Sequence, residues 1–202
     1  MPRRHVIFTF DLGSPYAWLA AERVDEVVGE PVTWEPVSLG AVFKATGRSS
    51  WALGDAERRA AGMAEIERRA HARRLGPVVW PDGWPSHYLL AMRAATFADS
   101  VGAVREFALS AFRLAFLEGR DLAQPPHVAE AARRCGLDPA MVLAQAASPE
   151  IKERLRSRTD RALERGVFGV PTFAVGDELL WGDDRLDELA SSSRPTRSVR
   201  PR

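Results

Sequence analysis

The sequence has one cysteine, Cys135, among its 202 residues, so no disulfide can close within the chain and a secreted, disulfide-stapled design is excluded. A reducing cytoplasm is the expected compartment. No uninterrupted apolar run reaches the length of about 18 residues that a membrane-spanning helix requires. The opening Met1-Pro2-Arg3-Arg4-His5 passes directly into strand-like sequence, without the apolar stretch and small-residue cleavage site of a signal peptide. Histidine is scarce as well: His71, His87 and His127 have no metal-ligand spacing to one another or to Cys135, so no metal site is expected. Net charge is small, +1, and Arg194, Arg197, Arg200 and Arg202 fall in the last nine residues, so the body without them carries −3. Four arginines among Ser, Thr and Pro, with no aromatic neighbour, make a poor polyelectrolyte site. Neither nucleic acid nor a membrane is an expected partner, and residues 193–202 read as a disordered basic tail.

What is present suits a folded body, since 46% of residues are apolar and 27% charged. His5 to Phe10 is β-branched and aromatic, as a buried strand is. Ser14-Pro15 then starts a helix, the serine able to cap and the proline preset for the first turn, and apolar spacing carries that helix from about Pro15 to Val28. Val32 to Val37 alternates as a second strand, so a parallel β-α-β unit is expected. From Leu39 to about Gly166 only helical patterns occur. Asp55 opens a charged helix, Pro85 or Ser86 another, Val104 to Leu117 reads as a buried helix, and Asp138-Pro139 and Ser148-Pro149 mark two further starts. Gly136 and Gly166 sit where helix ends need a left-handed residue. Thr172 to Val175 and Glu178 to Trp181 flank Gly176-Asp177 as a hairpin, and Asp183 to Ala190 forms a last helix.

The predicted fold class is therefore α/β, a thioredoxin-like β-α-β / β-β-α core with a large all-helical insertion. The expected division is core at 1–38 and 167–192, insertion at 39–166 and tail at 193–202.

In such a fold the loop after the first strand delivers a reactive group to the start of the first helix, where free amides favour an anion. A dithiol oxidoreductase needs Cys-x-x-Cys there, and Ser14-Pro15-Tyr16-Ala17 stands instead. A hydroxyl at that place can donate to a thiolate brought by a cofactor, although the dipeptide by itself is equally a plain helix cap. No Gly-x-Ser-x-Gly elbow surrounds Ser14, so a serine hydrolase is not indicated. Val170-Pro171 before a strand is where thioredoxin-like proteins keep a cis proline, and Asp183-Asp184 lies near the start of the last helix.

Ser14-Pro15-Tyr16 with Trp18, Val167-Phe168-Gly169-Val170-Pro171-Thr172 and Trp181-Gly182 before Asp184-Arg185-Leu186 resemble the kappa-class glutathione transferases and the 2-hydroxychromene-2-carboxylate isomerases, in order and spacing, over about residues 5 to 190. The resemblance implies a DsbA-like thioredoxin fold, a homodimer and glutathione, or another low-molecular-weight thiol, as cofactor. It implies that Ser14 hydrogen-bonds the cofactor sulfur as the catalytic residue, with Pro15 and Tyr16 beside it. Val170 before Pro171 would clamp the cofactor's cysteinyl backbone, and Asp184 with Asp183 would receive the γ-glutamyl amine. Lys44, in a segment similar to the family's pocket lysine, is a candidate for a carboxylate. Arg48 stands where relatives often carry asparagine, and Arg59 is a candidate for the glycine carboxylate. The implied activity is isomerase or transferase action on a small electrophilic substrate, an aromatic carboxylate or ketone. A DsbA-like disulfide oxidoreductase and a non-catalytic thioredoxin-fold binding protein are the alternatives.

Overall fold

The computed structural model describes residues 5–191. The expected tail at 193–202 lies outside the described residues.

Strand β1, Val6–Phe10, is almost wholly buried and pairs in parallel with β2, Val32–Pro36, in the register Val6 to Val32 and Phe10 to Pro36. On its other side β1 runs antiparallel to β3, Thr172–Val175, which forms the predicted hairpin with β4, Glu178–Trp181. The sheet order β2-β1-β3-β4 thus joins the first and last segments of the chain in one layer, as a thioredoxin-like core requires. Facing aromatics lock it: Phe8 stacks on Phe173 with centroids 5.5 Å apart and meets the edge of Trp34 at 5.0 Å.

The helix expected over Pro15 to Val28 is two helices, α1 (Pro15–Ala21) and α2 (Val24–Val28). Between them the Arg23 N–H bonds to the Ala20 carbonyl, a tighter i to i+3 turn, and the redirected chain brings Val24 and Val28 into the core. No propensity signal marks Glu22-Arg23, so packing sets the break.

Seven α-helices connect β2 to β3: α3 (Leu39–Thr46), α4 (Ala56–Ala72), α5 (Leu89–Ser100), α6 (Val104–Phe116), α7 (Pro125–Arg134), α8 (Pro139–Ala147) and α9 (Pro149–Glu164). A short 3-10 turn, Trp51–Leu53, precedes α4, and no strand occurs in this stretch among the described residues. Asp55, Asp138 and Ser148 cap their helices as predicted, each side chain accepting a backbone N–H. Gly136 and Gly166 take the left-handed conformation, with φ of 78° and 93°. The start of α5 differs: regular helix begins only at Leu89, with Tyr88 at the cap position, and the Ser86 hydroxyl lies three residues upstream, donating to Asp121. Helix α6 is buried along Phe107, Phe112 and Phe116 and ties the helices to the core by stacking Phe116 on Trp18 of α1, with centroids 5.4 Å apart. The last helix, α10, runs Leu186–Ser191, so Asp183 and Asp184 stand in the loop ahead of it rather than in its first turn.

Candidate active site

The loop between β1 and α1 is held from inside. The Asp11 carboxylate is buried and accepts the N–H of Gly13 and the N–H of Leu39, each at 2.8 Å. Burial pushes its pKa up from 3.8 to about 6, although the two amides work in the other direction. The ring of Tyr88 lies directly on Gly13, so close that a Cβ there would come within 2.5 Å of it. Ser14 follows as the N-cap of α1, its Oγ accepting the Ala17 N–H at 3.2 Å. A hydroxyl that accepts still has its own proton to donate. Capping and sulfur binding are therefore compatible uses of one side chain.

Ser14, Pro15 and Tyr16 form one wall of a cleft of about 560 Å³. Gly169, Val170 and Pro171 form the facing wall, and the Val170–Pro171 peptide bond is cis, as the thioredoxin-like reading requires. Neither the N–H nor the carbonyl of Val170 bonds to another backbone group among the described residues. They are free for the backbone of a bound molecule. Burial raises the Tyr16 phenol above its ordinary pKa, so its hydroxyl remains a donor. A row of Trp51, Trp84 and Trp80, with successive centroid distances of 5.3 and 4.6 Å, backs the cleft, and its first two members line it.

The two neighbouring aspartates differ. Asp183 is 1% exposed and ion-paired to Arg69 of α4 at 2.6 Å and to Arg73, the C-cap of that helix, at 2.5 Å. Asp184 is exposed on the cleft wall, with Gly182 before it at a φ of 116°. Any Cβ on Gly182 would meet Asp184 Oδ1 at 2.5 Å, so glycine is what lets that carboxylate fold back beside the cleft.

Seven of the predicted positions thus converge: Ser14, Pro15, Tyr16, Val170, Pro171, Asp183 and Asp184 all line the cleft. Lys44, Arg48 and Arg59 are exposed and do not; Phe43 beside Lys44 does. Arg48 instead lies over the rings of Phe168 and Trp181, 4.5 and 5.5 Å from their centroids, linking the segment after α3 to the cis-proline loop and β4. Arg69 was not singled out by sequence reasoning. It reaches the cleft wall with its guanidinium 5.4 Å from the centroid of Tyr16, and its only sequence signal is the Glu65-Arg69 spacing of one helical turn. A second hollow of about 480 Å³ shares Gly13, Leu39, Phe43, Ser50 and Pro85 with the first and continues past Tyr88 to Met92. No metal-binding cluster occurs, and no helix is long and apolar enough to cross a membrane, among the described residues.

The model of the DSBA-like thioredoxin domain matches residues 5–193. The chain is 27% identical over 192 residues to the 2-hydroxychromene-2-carboxylate isomerase of Sphingobium xenophagum, covering 91% of this chain and 95% of that protein. It is 24% identical over 208 residues to human glutathione S-transferase kappa 1, covering 94% and 90%. A solved 2-hydroxychromene-2-carboxylate isomerase superposes with a TM-score of 0.79 at 25% identity, covering 93% of each chain. The chain belongs to the DSBA-like thioredoxin domain family and, with these isomerase and transferase relatives, is an enzyme.

Proposed function

We propose that this protein is a glutathione-dependent isomerase or transferase of the kappa class, resembling the 2-hydroxychromene-2-carboxylate isomerases. The observation that carries the reading is a donor hydroxyl, Ser14, on a cleft shared with cis-Pro171 and Asp184, in a chain with no cysteine at that loop. A thiol held there would supply a nucleophile for reversible addition to an electrophilic carbon, the chemistry that an isomerase or a transferase of this kind would use.

The residues fit such a group. Ser14 donates its hydroxyl proton toward the sulfur and favours the thiolate, while the main chain at Val170 offers one donor and one acceptor to the cysteinyl backbone. Asp184 offers a carboxylate to an ammonium. The apolar hollow beyond Gly13, walled by Phe43, Leu53, Tyr88, Leu89 and Met92, suits a flat aromatic electrophile. Lys44 is off this wall, so the carboxylate role considered for it is not part of the proposal. A disulfide oxidoreductase is disfavoured because Ser14 and Ala17 occupy the two cysteine positions. The same reading carries a homodimer in a reducing cytoplasm.

The test is Ser14→Ala. Loss of one preorganised donor should lower turnover by about a hundredfold and raise the pKa of bound glutathione, followed by ultraviolet thiolate absorbance. Unchanged turnover of a confirmed substrate would exclude Ser14 from the chemistry.

A further inference from the structure

From the charges that line the second hollow, and those that do not, we infer that the electrophile this protein accepts is an uncharged aryl ketone, its carbonyl conjugated to the reacting double bond, and not an aromatic carboxylate. The inference deepens the reading under Proposed function and rests on it.

The hollow of about 480 Å³ that continues from the cleft past Tyr88 has no lysine or arginine in its wall among the described residues. Arg69 and Arg185 line the cleft and not the hollow, while Lys44 and Arg48 line neither. His87 does line it but is exposed, so any charge it takes up is screened by water. The buried charged group in this wall is an acid. Asp11 is 6% exposed, and at pH 8, above its pKa of about 6, it is a carboxylate. Its two partners, the N–H groups of Gly13 and Leu39, are neutral and leave that charge in place. A substrate carboxylate entering the hollow would give up its water, meet a like charge and gain no counter-ion.

Other polar groups on this wall suit a neutral acceptor. Ser38 Oγ accepts the Ala41 N–H at 3.4 Å and Ser50 Oγ accepts the Ala52 N–H at 3.2 Å, so each hydroxyl keeps a proton to donate. Ser50 lines both the cleft and the hollow, which puts one such donor where the two meet. One hydroxyl can satisfy a carbonyl oxygen, whereas a carboxylate has about four lone-pair sites to satisfy. Of the six large apolar side chains exposed among the described residues, Leu53 and Leu89 line the hollow and Trp181 the cleft, so the surface left open here is apolar as well. A conjugated ketone also completes the chemistry unaided. As the thiolate sulfur bonds to the β carbon, the double-bond electron pair moves toward the carbonyl oxygen, and the proton released when the thiol ionised returns to the α carbon.

The experiment is calorimetry at pH 8 on the full chain, first with glutathione and then, with glutathione saturating, with 2-acetylnaphthalene and 2-naphthoate. The two probes match in shape, differ by a methyl group in place of a charged oxygen, and do not react with thiols. The ketone should bind about tenfold or more tighter than the acid. Leu53→Arg, at a position 72% exposed, should strengthen naphthoate and narrow or reverse that ratio, while Leu53→Met should keep it. Naphthoate bound as tightly as the ketone, binding of neither probe, or a ratio that Leu53→Arg does not move would each overturn the inference. Glutathione binding without discrimination between the probes defeats this inference and leaves the thiol enzyme standing; failure to bind glutathione defeats both.

Discussion

Asp11 accepts the backbone N–H of Leu39 at 2.8 Å, a bond that spans 28 residues and ties the loop before Ser14 to the start of α3. The other oxygen takes the Gly13 N–H, and no cation approaches within ion-pair distance among the described residues. Desolvation is the largest influence on this group and raises its pKa from 3.8 to about 6. A carboxyl that holds its proton more tightly when folded favours folding fully below its unfolded pKa, and that contribution is lost as pH rises through the folded one. A shift of this size corresponds to about 3 kcal/mol. Asp11→Asn removes the titration, so the stability of the unmodified protein relative to this variant should fall by up to about 3 kcal/mol between about pH 4 and pH 7, measured by urea unfolding. A pH-independent difference would mean that the carboxyl titrates normally.

Gly13 has no positive φ to explain it, yet a methyl group there would sit 2.5 Å from the Tyr88 ring, inside van der Waals contact. Gly13→Ala must displace Tyr88, whose ring lines the second hollow beside Gly13. The expected loss is about 1–3 kcal/mol of stability, with weaker binding of aromatic ligands. Gly13→Ala combined with Tyr88→Leu should recover most of the stability. If the pair is additive, the contact is not the cause.

Much of this arrangement was legible in the sequence wherever a local rule acts alone. Ser14-Pro15 caps a helix by its own chemistry, the hairpin at Gly176-Asp177 follows from strand patterning around a turn pair, and Ser148-Pro149 starts α9 without help from distant residues. The failures are all long-range. Ser86 is a sound cap in isolation, but helix begins three residues later, and the Ser86 hydroxyl donates to Asp121, 35 residues away. The break at Glu22-Arg23 joins two good helical stretches and comes from how α2 packs on the sheet and on α10. Arg69 is one of six arginines between positions 58 and 74, and no periodicity in that charged helix tells which of them faces the cleft. The pattern names the helix, whereas tertiary packing selects the residue.

Asp183 and Asp184 supply the sharpest contrast between identical neighbours. Asp183→Asn keeps the shape of a side chain that is 1% exposed but removes the counter-charge of Arg73 and leaves Arg69 with Glu65 alone. Removing one member of a wholly buried ion pair costs about 3–5 kcal/mol. Because the two arginines are 24% and 17% exposed, water screens part of the loss, and about 2–3 kcal/mol is expected here. Asp184→Asn changes an exposed residue on the cleft wall and should move stability by less than about 0.5 kcal/mol while weakening thiol binding. Urea unfolding of both variants, paired with glutathione calorimetry, separates the residues: one should unfold early, and the other should stay folded and bind poorly. Equal stability losses would show that the ion pairs to α4 do not hold the loop, and the distinct roles assigned to positions 183 and 184 would then collapse into one.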